Sequence, residues 1–201
     1  SREERSFNDP EYPLGALSSQ STLYRLDTGL TAQGPLGRSH TSLPISYTFE
    51  ALRESELGER ERHTVAFAPG FVAPRLPLGR SSVGWKIHGR IELITAAGDP
   101  EVLPSIRTSL SWRTPRDLLE ASVALGAGYR LPTYSELFWP AGAFALGNPD
   151  LEPERSRSAE WELLLGRTEA KQLRINTHVT LYRDLIQWLP NPTGYWRPRN
   201  T

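Results

Sequence analysis

No cysteine occurs among the 201 residues, so disulfide frameworks, thiolate metal sites and cysteine nucleophiles are excluded. Methionine is absent too, and no leader is visible at Ser1, so a processed protein or a fragment is expected. Neither sign of charge is in surplus: 23 basic side chains face 23 acidic ones. That balance argues against a general nucleic-acid binder, which needs a basic excess. Apolar residues are few, at 38%, so much of the chain must stay wet or its elements must use their two faces unequally. No apolar run approaches the roughly 20 residues of a membrane-spanning helix. That excludes a helical span and leaves open a β-barrel, which crosses without such runs. Helical periodicity is also scarce, and 17 prolines and 16 glycines are scattered throughout.

Alternation with period two is what the chain does have. It predicts about eight strands, near 20–33, 39–52, 62–74, 84–95, 104–113, 118–130, 156–167 and 173–188. The fourth shows the pattern well, with Trp85, Ile87, Ile91 and Leu93 on one face and Lys86, His88, Arg90 and Glu92 on the other. The third is interrupted by Pro69. Connections at 34–38, 114–117 and 168–171 read as tight turns. Those at 54–62, 96–104 and 131–155 read as longer, and 54–62 as a solvated loop. Counted along a meander, the three tight turns fall at one end and the three longer connections at the other. The connection 75–83 belongs to the tight end but is long for it.

Short turns at one end, longer loops at the other and one apolar face per strand describe an all-β, antiparallel, up-and-down transmembrane barrel. Aromatics agree with interfacial girdles: Tyr24, Tyr47, Phe49, Tyr129 and Trp161 toward the long-loop end, Trp85 and Trp112 toward the other. A soluble sandwich also alternates, but it would bury the apolar face and place aromatics at any depth. Strands of about 12 residues exceed its usual five or six.

Chemistry-bearing constellations are few. The four histidines lie far apart and in no zinc-ligand spacing, so no metal site and no cofactor are expected. No nucleophile elbow or phosphate-cradling loop is present, and no catalytic residue is assigned. Glu136 has no partner carboxylate; it reads as a loop carboxylate that caps backbone amides or pairs with an arginine. Phe138, Trp139, Phe144, Tyr195 and Trp196 are aromatics in expected loops. They either pack among neighbouring loops or contact a ligand at the mouth.

Three segments in order carry a resemblance: "GYRLPTYSELFWP", "GNPDLEPERS" and "LYRDLIQWLPNPTGYWRPRN". Together they resemble the TonB-dependent outer-membrane receptors. The matching positions are Arg130, Pro132, Thr133, Glu136, Leu137 and Phe138, then Gly147, Asn148, Pro149, Leu151, Pro153 and Glu154. Glu160 or Glu162 follows, then Leu185, Ile186, Trp188, Pro198 and Asn200. The resemblance covers about 104–201. It implies part of a 22-stranded barrel in the bacterial outer membrane, with a plug domain, a TonB box and closing strands outside this chain. It also implies TonB-driven uptake of a ferric siderophore, cobalamin or similar metal chelate, with outer-membrane lipid around the wall and no enzymatic activity. An adhesin or porin-like barrel without TonB coupling is the alternative. On this reading Arg130, Pro132, Glu136, Asn148, Pro149, Pro153 and Glu154 are scaffold, and the loop aromatics are ligand-contact candidates.

Overall fold

A computed structural model describes residues 2–9, 17–54, 58–96, 100–139, 145–168, 171–192 and 194–201. Phe144 lies outside the described residues. The wall is one antiparallel sheet in chain order. It begins with β1 (Arg2–Asp9), β2 (Leu17–Leu36) and β3 (Ser39–Glu54). An interrupted strand follows, made of β4 (Gly58–Phe67), β5 (Gly70–Val72) and β6 (Leu76–Leu78). The sheet continues through β7 (Ser81–Thr95), β8 (Glu101–Arg113), β9 (Leu119–Arg130), β10 (Glu154–Thr168) and β11 (Lys171–Arg183). β4 and β5 keep one register against β3 across Pro69, as Ile45↔Phe67 and Ser42↔Gly70 show. The register against β7 slips by one between Val72↔Lys86 and Leu76↔Val83, as a bulge does.

Cross-strand register gathers the predicted apolar faces into one surface. Thr28, Tyr47, Val65, Leu93 and Val102 stand side by side across five strands. Trp85, Leu110, Val123 and Trp161 form another row. Nothing among the described residues covers this surface: Leu30 is 82% exposed and Leu181 67%. A water-soluble sheet of this size would have to bury that face, and here it is the face that meets lipid. The other face carries ion pairs. Asp27 accepts from Arg25 at 2.9 Å and from Thr48 at 2.8 Å, Arg107 binds Glu160 at 2.8 Å, and Glu120 accepts from both Arg113 and Arg75. A polar interior of this kind belongs to an outer-membrane barrel wall.

The turns explain an irregularity in the sequence. The pentapeptide PLGRS occurs at 35–39 and again at 77–81. In both places Gly-Arg forms a two-residue hairpin turn, with the glycine at φ +63° in the first and +61° in the second. A positive φ at the first turn position matches the twist of the flanking strands and favours glycine. The long connection at 75–83 is therefore a hairpin like the others at its end.

Several expectations are corrected. The stretch 54–62 is largely strand: β3 runs to Glu54 and β4 starts at Gly58, and 96–104 shrinks likewise because β8 starts at Glu101. Charged residues read as loop there, yet backbone pairing continues past the apolar zone without needing apolar side chains. β1 is an additional strand, and "REERSFND" shows no alternation that would predict it. Trp161 sits mid-strand, because β10 begins at Glu154 and ends at Thr168. The strand expected over 173–188 divides. β11 ends at Arg183, Asp184 takes φ +56°, and β12 (Ile186–Pro190) turns away to pair with β13 (Trp196–Asn200) in a separate hairpin.

Candidate functional site

The chain leaves the wall at Arg130 and returns at Glu154. Pro132 cannot continue a ladder and biases Leu131 to extended backbone. Thr133 then starts the short helix α1 (Tyr134–Phe138) through a capping box: its hydroxyl accepts from the Glu136 amide, and the Glu136 carboxylate accepts from the Thr133 amide at 2.8 Å. The same carboxylate receives Arg130 Nη1 at 3.0 Å and Nη2 at 3.1 Å. Arg130 also donates Nε and Nη2 to Glu154, each at 2.7 Å. One planar guanidinium thus ties the end of β9 to α1 and to the start of β10, in the geometry that suits bidentate carboxylate binding. Burial alone would raise the Glu136 carboxyl, but the Arg130 donors and the Thr133 amide outweigh it and hold it below the usual range.

The second half of the loop is fastened to the β12–β13 hairpin. Asn148 Nδ2 donates to the Pro198 carbonyl at 2.9 Å, and its Oδ1 accepts from Arg197 at 2.8 Å. Asn200 makes the reciprocal contacts: its Oδ1 accepts from the Glu152 amide, and its Nδ2 donates to the Glu152 and Asp184 carbonyls. Glu154 accepts the buried Ile186 amide at 2.7 Å. Pro198, Leu151 and Ile186 are buried beneath these bonds. Gly147 is buried too, and a Cβ there would lie 2.4 Å from the Trp139 amide and 2.7 Å from the Leu137 carbonyl oxygen. Both are backbone atoms, so only glycine fits. The structure thus brings Arg130, Glu136, Asn148 and Glu154 into one clasp, with Pro132 and Pro153 buried in it and Pro149 at its surface.

Helix α1 folds over the polar face at the outer ends of the strands. Tyr134 Oη donates to the Glu50 carbonyl at 3.3 Å, and the Arg62 guanidinium lies 4.6 Å from the Tyr134 ring centroid. Arg60 lies 5.2 Å from the Phe138 ring centroid. Two adjoining cavities result. One of about 580 Å³ is walled by Arg60, Leu137, Phe138, Trp139, Leu146 and Pro149, among others. One of about 550 Å³ shares Arg60, Leu137 and Phe138 and extends to Tyr134 and Glu61.

Phe138 and Trp139 line the larger cavity. Tyr195 and Trp196 do not; they stand half exposed on the hairpin, where the Trp196 carbonyl accepts from the Leu146 amide. Trp139 meets Trp188 edge to face at 6.1 Å. Arg60 and Arg62 are hidden in the sequence because "RESELGERER" looks like a uniform solvated run. Their signal is the alternation itself, which on a strand sends 60 and 62 to one face. His63 hydrogen-bonds Tyr47 at 2.8 Å on the lipid side. Among the described residues no group of three metal-ligating side chains is assembled.

Comparison with known proteins places this geometry. The model of the TonB dependent receptor-like β-barrel family matches residues 95–201. The vitamin B12 transporter BtuB of Vibrio vulnificus is 34% identical over 87 residues, 43% of this chain and 13% of the relative. BtuB of Photobacterium profundum is 35% identical over 86 residues, 41% of this chain and 13% of the relative. The aligned part therefore spans about an eighth of these curated relatives. Among solved structures, the copper transporter OprC superposes on 99% of this chain with TM-score 0.75 at 12% identity, and 37% of that chain is covered. That likeness concerns the fold.

Proposed function

The chain belongs to the TonB-dependent receptor-like β-barrel family of the bacterial outer membrane, and on that premise we propose that it takes part in energy-driven uptake of a scarce ligand. Residues 1–201 form part of the barrel wall and its outer mouth; the plug domain, the TonB box and the closing strands lie elsewhere in the protein. The ligand is a small molecule such as cobalamin, a ferric siderophore or a similar metal chelate, and the coupling partner is TonB, reached through the plug. The barrel performs no bond chemistry.

One observation carries the reading. The residues within the matched segment 95–201 build a clasped loop that roofs a cavity at the mouth, on the polar face of a wall whose other face is apolar. Ligand contacts come from Phe138 and Trp139 in the cavity wall and from Tyr195 and Trp196 on the hairpin, and Phe144, outside the described residues, is proposed as a contact with them. Arg130, Pro132, Glu136, Asn148, Pro149, Pro153 and Glu154 serve chiefly as the scaffold that holds the loop, and Pro132, Pro149 and Pro153 also border the cavity. The relatives are named for vitamin B12, so labelled cyanocobalamin is the first probe, with a panel of ferric siderophores and copper chelates beside it. Cells carrying the full-length protein should accumulate one of these ligands, and deletion of TonB should abolish accumulation. Accumulation that persists without TonB would replace this reading with a porin-like one. Binding of none of the probes would sink the uptake reading.

A further inference from the structure

We infer that Arg60 anchors a small planar anion of the carboxylate class in the cavity between α1 and the outer ends of β4 and β7; the inference rests on the mouth being a ligand site, as proposed above. The four charges Glu59, Arg60, Glu61 and Arg62 alternate on β4, so the odd pair and the even pair face opposite ways. Of the odd pair, Glu59 accepts from Arg53 at 2.8 Å, and Glu61 lies 3.8 Å from His63, which is a charged partner only when protonated; both acids also border the smaller cavity without pairing with Arg60. Of the even pair, Arg62 is matched: Glu50 stands 3.7 Å from it, and it donates to the Pro132 carbonyl. Arg60 is the exception. Among the described residues it forms neither an ion pair nor a hydrogen bond, and its Nε is shut off from solvent without a partner. Glu101, an acid in the wall of the larger cavity, makes no ion pair with it.

The side chain is nevertheless held in place. Its guanidinium lies against the Phe138 ring, a cation–π contact that fixes the plane and leaves the donor edge uncommitted. With Nε closed off, the two Nη groups remain to receive an acceptor. Two parallel N–H groups in one plane match the two oxygens of a carboxylate better than the tetrahedral oxygens of a phosphate. Leu137, Phe138, Trp139 and Leu146 make the surrounding wall apolar, which strengthens a charge pair formed there. It also favours a flat apolar body next to the carboxylate.

The test titrates benzoate, its neutral isostere benzamide, and inorganic phosphate into the full-length protein in detergent micelles by calorimetry. Benzoate should bind saturably and at least about tenfold more tightly than either of the others. Arg60→Gln should weaken benzoate at least about tenfold and leave benzamide unmoved, and Arg60→Lys should fall between. Phe138→Leu should weaken benzoate several-fold. Arg53→Gln, which alters the odd pair, should change nothing. Equal binding of benzoate and benzamide, or an Arg60→Gln protein that binds benzoate like the parent, overturns the site. Phosphate binding as tightly as benzoate overturns the planar class. If Arg60→Gln fails to fold, the benzoate-to-benzamide ratio of the parent and of Arg60→Lys decides. Ligand uptake without benzoate binding removes the anion site and leaves transport standing; benzoate binding without uptake does the reverse.

Discussion

The wall and the clasp are built from opposite kinds of specification. In the wall, backbone ladders hold neighbouring strands, and the side chains of one face point at lipid. Any apolar residue of similar size serves there, as the exposed row through Leu110 and Val123 illustrates. In the clasp, side chains bond to backbone across wide gaps in sequence: Asn148 to Pro198, Asn200 to Glu152, Glu154 to Ile186. Each of those contacts needs one particular residue. The wall should therefore tolerate every substitution except charge, and the clasp should tolerate almost none yet fail locally.

The largest effect separates the two rules most sharply. Leu125→Arg puts a cation on the lipid face, where Leu125 is 54% exposed. It should destabilise by about 2–4 kcal/mol in urea unfolding from lipid vesicles. Leu125→Ile should be near neutral, and Ser122→Arg, on the polar face of the same strand, should cost less than about 1 kcal/mol. If Leu125→Arg cost no more than Ser122→Arg, the apolar face would not be meeting lipid. In the clasp, Gly147→Ala drives a methyl into the Trp139 and Leu137 backbone. It should cost about 1–3 kcal/mol, seen as faster hydrogen exchange over 131–153 with the strands unchanged. Uniform loss of protection through the wall would show that the two regions are not separable.

The same contrast explains what could be read from the sequence. Period-two alternation marks the apolar faces correctly, from Tyr47 on β3 to Leu181 on β11, because lipid imposes the pattern on each strand. It does not find β1 or the outer parts of β4 and β8, where polar residues sit on strands held by backbone pairing alone. It also joins β11 to β12, since Asp184 breaks the strand through its backbone angle and leaves the hydropathy untouched. In the loop, the motif residues Arg130, Glu136, Asn148 and Glu154 stand out by type and order. Their contacts do not, because those join Arg130 to Glu154 24 residues on and Asn148 to Pro198 50 residues on. Arg60 is lost for the same reason, its meaning depending on Phe138 from another element.

Arg130→Gln comes next in size. It removes four charge-assisted hydrogen bonds at once and leaves Glu136 and Glu154 facing each other. Because Arg130 is 43% exposed, solvent screens part of the loss, and about 1–2 kcal/mol is expected. Limited proteolysis should then cut within 131–153 while the strands stay protected. Cleavage no faster than in the parent would mean that the hairpin contacts of Asn148 and Asn200 hold the loop alone.

The smallest expected effect is a pH dependence confined to the clasp. The Glu136 carboxyl, which burial would raise, is held below its usual range by Arg130 and by the Thr133 amide. Its folded value is thus the depressed one, and an unfolded glutamate titrates near about 4.3. The stabilisation it contributes is complete above that value and fades as pH falls through the lower, folded one. Protection of 131–153 against hydrogen exchange, corrected for intrinsic rates, should be flat from about pH 7 to 5 and decline below about pH 4. Glu136→Gln keeps an acceptor for the Thr133 amide but loses the charge, so it should start with weaker protection and a shallower acid decline. The difference between the two profiles isolates this carboxylate from the others in the loop. Parallel profiles would place the acid sensitivity on another group and reduce Glu136 to a neutral helix cap. A shallower profile in the variant would confirm that one charge network, anchored at Arg130, couples the capping of α1 to the closure of the loop.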